Sequence, residues 1–137
     1  MGVIKPKMYF ENREEADKCL AEWKARLFLS DWNIKLFFDT HLDDNNSGLS
    51  EVIWTLSCGK ITMLCKGELE KEDYISKQPQ EQILIHELLH FKYLIVENRN
   101  ATIEDVHYSE NQHQLLEQMA KSLYMTKYNL DYEWFKN

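Results

Sequence analysis

Long hydrophobic runs are missing from this chain. The longest, residues 93–96, holds four apolar residues, against about 20 needed to cross a bilayer, so no membrane span is expected. Positive charge is also scarce: 16 Lys and Arg stand against 23 Asp and Glu, for a formal net charge of −7. With no basic cluster to offset that balance, it would repel a phosphate backbone, so nucleic acid is not an expected partner. Cysteine is limited to Cys19, Cys58 and Cys65, an odd number with no C-x-x-C pair. That pattern excludes a zinc ribbon, a redox dithiol and a disulfide scaffold, and reads as reduced, packed thiols. The basic start through Lys7 runs into Tyr9-Phe10-Glu11-Asn12-Arg13 rather than an apolar segment, which does not suit a secretion signal and points to a cytoplasmic protein. Neither an internal repeat nor a low-complexity stretch is present. What remains is an ordinary globular composition over 137 residues, 44% hydrophobic and 28% charged, the size of one domain spanning 1–137 with no room for a second catalytic module.

Periodicity predicts an α+β fold. Asn12 and Glu15 form an Asn-x-x-Glu capping box, followed by Ala16, Cys19, Leu20, Trp23 and Leu27 on one helical face. At Asp31 the period becomes two, with Trp32, Ile34, Leu36 and Phe38 sharing one face of a strand. Two further β-prone runs, 52–57 and 61–66, flank Cys58-Gly59-Lys60 and read as a hairpin, giving a three-stranded, mainly antiparallel sheet. Pro79 suits the first turn of a helix over 80–97 whose apolar residues point in nearly every direction, the mark of a buried helix. A polar loop over 98–108 precedes a last helix opened by Ser109 and Gln112.

The buried helix carries His86-Glu87-Leu88-Leu89-His90, an H-E-x-x-H motif. Positions four apart lie within about 40° of each other on a helix, so both imidazoles can meet one metal ion, with Glu87 beside them as general base. The chain's own composition gives a chance expectation of roughly 0.02 for this pattern. Burial adds weight, because two histidines and a carboxylate in an apolar helix must recover the hydration they lose, at roughly 1–3 kcal/mol for each unpaired polar group.

Catalytic zinc takes three protein ligands and keeps one open position. On the last helix His113 and Glu117 lie about 40° apart on a stripe with Ala120, whose small side chain permits a close helix approach. Glu117 is the expected third ligand, since a carboxylate completes a two-histidine site. His113 is the first alternative, with Glu110 and His107 behind it. Whichever of His113 and Glu117 is not a ligand could orient the site from behind. His107 and Tyr108 read as a loop histidine and a packed tyrosine, with stabilisation of an oxyanion as their functional alternative.

Residues 83–90 together with 113–120 resemble the small phage-type zinc metallopeptidases of the gluzincin class, similar in layout to ImmA/IrrE-like and SprT-like minimal zincins. The likeness covers most of the chain. It implies a minimal zincin-like domain holding Zn²⁺ on His86, His90 and Glu117, the last 27 positions after His90, with Glu87 catalytic. It further implies hydrolysis of a peptide bond in a protein or peptide substrate lying along a sheet edge, either 61–66 or 52–57. The alternative is a noncatalytic, zinc-containing adaptor or regulator of phage or mobile-element origin. The net charge adds a mild preference for basic partners, screened within about 8 Å at physiological salt.

Two weaker patterns complete the survey. Asp43, Asn45, Ser47 and Gly48 match the start of a calcium loop, but Trp54 stands where its bidentate glutamate belongs, so a plain turn-rich loop is expected. The aromatics Tyr128, Tyr132, Trp134 and Phe135 suit the edge of a core better than a docking anchor.

Overall fold

The first helix, α1, forms where the capping box predicts it. Asn12 Oδ1 accepts from the Glu15 amide at 2.8 Å and opens Arg13–Arg26, with Glu14 and Glu15 in the first turn and Lys24 and Arg26 in the last, charges matched to the helix dipole. The computed structural model describes residues 6–42, 47–69, 78–93 and 103–131, with backbone alone for 103–111. Ala16, Leu20 and Trp23 are the buried face of α1.

Strand β1, Asn33–Asp39, alternates as expected: Ile34 and Leu36 are buried while Lys35 and Asp39 face out. Strands β2, Gly48–Ile53, and β3, Cys58–Leu64, pair antiparallel around a 3-10 turn at Trp54–Leu56, and Ser57 takes the left-handed conformation (φ 48°). The hairpin therefore exists, but its turn lies upstream of Cys58-Gly59-Lys60, which is strand. Gly59 is required for close approach instead: a Cβ there would stand 2.2 Å from the Glu51 carbonyl oxygen and 2.7 Å from the Phe91 ring. Backbone of the paired strand cannot step aside, so Gly59→Ala is expected to lower stability by about 3 kcal/mol, measured by urea unfolding.

The sheet order is β1-β3-β2, with β1 parallel to β3 from Asn33↔Cys58 to Asp39↔Leu64. This corrects the mainly antiparallel expectation: the sheet is mixed. The middle position is filled by β3, whose Ile61, Met63 and Leu64 are almost wholly buried. Among the described residues β2 is thus an edge strand, and the run 61–66 lies mostly on the central strand and cannot be one.

After the short helix α2, Lys66–Leu69, the buried helix α3 spans Gln80–Lys92, with Pro79 at its N-cap. Every residue of α3 from Gln80 to Phe91 is buried except His86 and His90. Among its polar members, Gln80 is tied across the fold: it accepts from the Phe10 amide at 2.8 Å and donates to the Leu64 carbonyl at 3.1 Å. The last helix, α4, runs over Ile103–Tyr128. It begins ahead of the expected loop end, so Ser109 is an interior residue rather than a cap. Leu116, Ala120 and Tyr124 are its buried stripe, and they join α1, α3 and the inner sheet face in one apolar cluster. Among the described residues the result is an α+β fold with four helices and a three-stranded mixed sheet. None of the described helices is long and apolar enough to cross a membrane.

Candidate metal centre

His86 and His90 project from the one flank of α3 that the core leaves accessible, and their Nε2 atoms lie 3.3 Å apart. Two unprotonated lone pairs at that distance repel, so the pair needs either a shared proton or a cation between them. Tetrahedral zinc with nitrogen ligands at about 2.0–2.1 Å separates them by about 3.3–3.4 Å, which is the spacing observed. From α4, His113 completes the group: one nitrogen from each of the three rings falls within 4.8 Å of the others. Its ring stands 4.9 Å from that of His90 and is stacked on that of His86 at 6.3 Å, centroid to centroid.

Glu117, one turn beyond His113, reaches a different atom. Its Oε2 is 2.7 Å from His86 Nδ1, and its Oε1 accepts from Gln82 Nε2 at 3.3 Å. A carboxylate on Nδ1 holds the proton there and leaves Nε2 unprotonated, its lone pair available to a metal ion. The structure thus brings together His86, His90 and His113 and puts Glu117 behind His86. Side chains at His107, Tyr108 and Glu110 lie outside the described residues, as do Asp43, Asn45, Tyr132, Trp134 and Phe135.

Glu87 turns toward the sheet. Ser50 Oγ on β2 lies 2.9 Å from the Glu87 carbonyl and 3.0 Å from its Oε2, while Oε1 is 3.9 Å from His86 Nε2. Only 6% of the Glu87 side chain is exposed. An ideal Cβ on Gly48 would stand 3.0 Å from Glu87 Cγ and from Ile83 Cγ2, so a residue without a side chain lets the edge strand lie against the carboxylate. Nothing in the linear pattern marked Ser50. Gln82 sits one turn before His86 on the same face, a position visible in the sequence without its partner.

Protonation follows from these contacts. Burial holds His90 neutral, its pKa brought down to about 4 with help from His86 and His113. At His86 burial also disfavours the charged ring, but the Glu117 hydrogen bond and the charges of Glu87 and Glu117 outweigh it and raise its pKa. Glu87 is raised above the usual carboxylate range, chiefly by burial and against the pull of His86 and Ser50. Glu117 is lowered, because His86 and the amides of Gln82 and Gln78 overcome its burial. Two carboxylates one helix apart are therefore pushed in opposite directions, a feature of sites that divide acid–base work from orientation.

No protein family, curated protein or solved structure matches this chain.

Proposed function

We propose that this chain is a metal-dependent peptidase of minimal zincin layout, in which His86, His90 and His113 hold Zn²⁺. What carries this reading is the convergence of three imidazoles beside a buried carboxylate with a raised pKa. An all-imidazole set suits zinc, which when bound supplies acidity to an attacking water and polarises a carbonyl. Glu87 takes the proton of that water and passes it to the leaving amine, its elevated pKa suiting both steps. Ser50 holds the carboxylate in place, and Glu117 keeps His86 in the tautomer whose Nε2 is free. Glu117 is thus assigned an orienting role rather than that of third ligand. A peptide laid along the open edge of β2 would pass beside Ser50 and hence beside Glu87.

The test is metal analysis of protein purified without a polyhistidine tag. Wild type should carry one zinc per chain. His113→Ala should lose it on dialysis against weak chelator, whereas Glu117→Gln should still fill at saturating zinc but bind about 10–100-fold more weakly. The reverse ranking would make Glu117 the ligand and His113 its support. Wild type that takes up no stoichiometric zinc would end the proposal.

A further inference from the structure

Strand pairing fixes which groups on β2 face the open edge. The Leu64 amide donates to the Ser47 carbonyl at 3.0 Å, so Ser47 is a hydrogen-bonded pair partner of β3. Antiparallel pairing alternates, and Leu49, Glu51 and Ile53 share the phase of Ser47. The Glu51 carbonyl does aim at β3, as its 2.2 Å clearance from a Cβ on Gly59 requires. Gly48, Ser50 and Val52 consequently turn their amides and carbonyls outward, with no partner strand among the described residues. An added strand would bond to these three, centred on Ser50, the residue that touches Glu87.

The register also fixes what the side chains of such a strand meet. Its residues opposite Leu49, Glu51 and Ile53 lie on the outer sheet face. There Leu49 is 43% and Ile53 50% exposed, and Leu49 continues a row with Thr62 and Phe37, itself 45% exposed. Between them Glu51 continues the row Lys35, Lys60, with Lys60 Nζ 3.5 Å from Glu51 Oε2. A cross-strand neighbour on the far side of Glu51 is best a cation, which sets Glu51 between two positive charges, and neighbours of Leu49 and Ile53 are best apolar. Residues opposite Gly48, Ser50 and Val52 point instead to the histidine side.

We infer that the site takes an extended segment reading apolar–x–basic–x–apolar, with the apolar residues opposite Leu49 and Ile53 and a Lys or Arg opposite Glu51. This rests on the peptidase reading for what happens to the segment afterwards, but the recognition stands on the strand alone. The pattern is the same in either chain direction, and the net charge of −7 favours approach of a basic segment.

The experiment uses fluorescein-labelled Thr-Val-Thr-Lys-Ala-Leu-Ser, its Lys→Glu counterpart and a counterpart with Val and Leu replaced by Ser. Binding to zinc-loaded Glu87→Gln protein is followed by anisotropy at low salt. The Lys peptide should bind about five-fold more tightly than either counterpart. The double swap Glu51→Lys with Lys60→Glu, which keeps the cross-strand pair, should reverse the Lys-over-Glu preference while circular dichroism stays unchanged. Equal affinities, a preference indifferent to the swap, or no binding of any peptide would overturn the inference. Wild-type hydrolysis is scored separately: binding with the expected preference but no cleavage removes the peptidase reading alone, and cleavage without preference removes this inference alone.

Discussion

Glu87→Gln should leave zinc content at one per chain and lower peptide hydrolysis by about 10²–10⁴-fold, the range that a positioned proton acceptor contributes. The substitution is close to isosteric. Its amide still fits the space beneath Gly48 and can still meet Ser50 Oγ, now 3.0 Å from Oε2, so neither packing nor edge-strand position should change. Only the capacity to accept a proton from water is lost. A variant hydrolysing at the wild-type rate would remove Glu87 from the chemistry, and one that lost zinc and rate together would show that the carboxylate serves the metal site structurally.

Ser50 gives the same idea a pH-dependent form. In the proposed reaction Glu87 must be ionised to act as base, so activity should fall as pH drops through its pKa, which burial already raises and the Ser50 hydrogen bond partly restrains. Removing that restraint in Ser50→Ala should move the acid limb of the pH–rate profile to higher pH, with zinc content constant. A limb that moves downward or stays fixed would assign it to another group.

Features written in local periodicity were legible in the sequence. The Asn12 cap, the buried face of α1 and the alternation of β1 each depend on residues within one or two turns of each other. The place of β3 between β1 and β2 depends on pairing between distant segments, and adjacency in sequence is a poor guide to that. Gly59 shows the ambiguity in miniature: a tight turn and a close backbone approach both require a missing Cβ, and only the Glu51 carbonyl and Phe91 ring distinguish them. Ser109 and Gln112 have the spacing of a cap, yet a helix that begins at Ile103 simply passes through them. At the site, H-E-x-x-H could be read directly because a helix converts its spacing into geometry. His113 and Glu117 sit one turn apart on one stripe, so the sequence could bring both to α3 without stating which nitrogen or oxygen meets which atom.

Glu81→Ala should cost about 3–5 kcal/mol of stability, a large share of the about 5–15 kcal/mol available to a domain. Glu81 is 7% exposed, and side chains from α1 and α4 converge on its carboxylate. Trp23 Nε1 from α1 donates at 2.7 Å, Lys127 Nζ from α4 at 2.6 Å, and the Tyr128 hydroxyl donates to Oε1. Lys127 also reaches Glu22 Oε2 at 2.7 Å, so one ammonium joins α1, α3 and α4. Burial disfavours that ammonium, but Glu22, Glu81 and Tyr128 outweigh it and raise its pKa. Alanine would leave Lys127 with a single acid and the indole N–H of Trp23, a residue 1% exposed, with no acceptor. Glu81→Gln keeps an acceptor and should cost only about 1–2 kcal/mol. Urea unfolding gives both values, and an alanine variant within 1 kcal/mol of wild type would contradict the account. Because α3 and α4 run antiparallel, with His86 beside Glu117 at one point and Glu81 beside Lys127 and Tyr128 farther along, the clamp also sets how α4 presents His113 to α3. Zinc should therefore bind Glu81→Ala more weakly than wild type at a temperature where both are folded, and Glu81→Gln nearly as well as wild type.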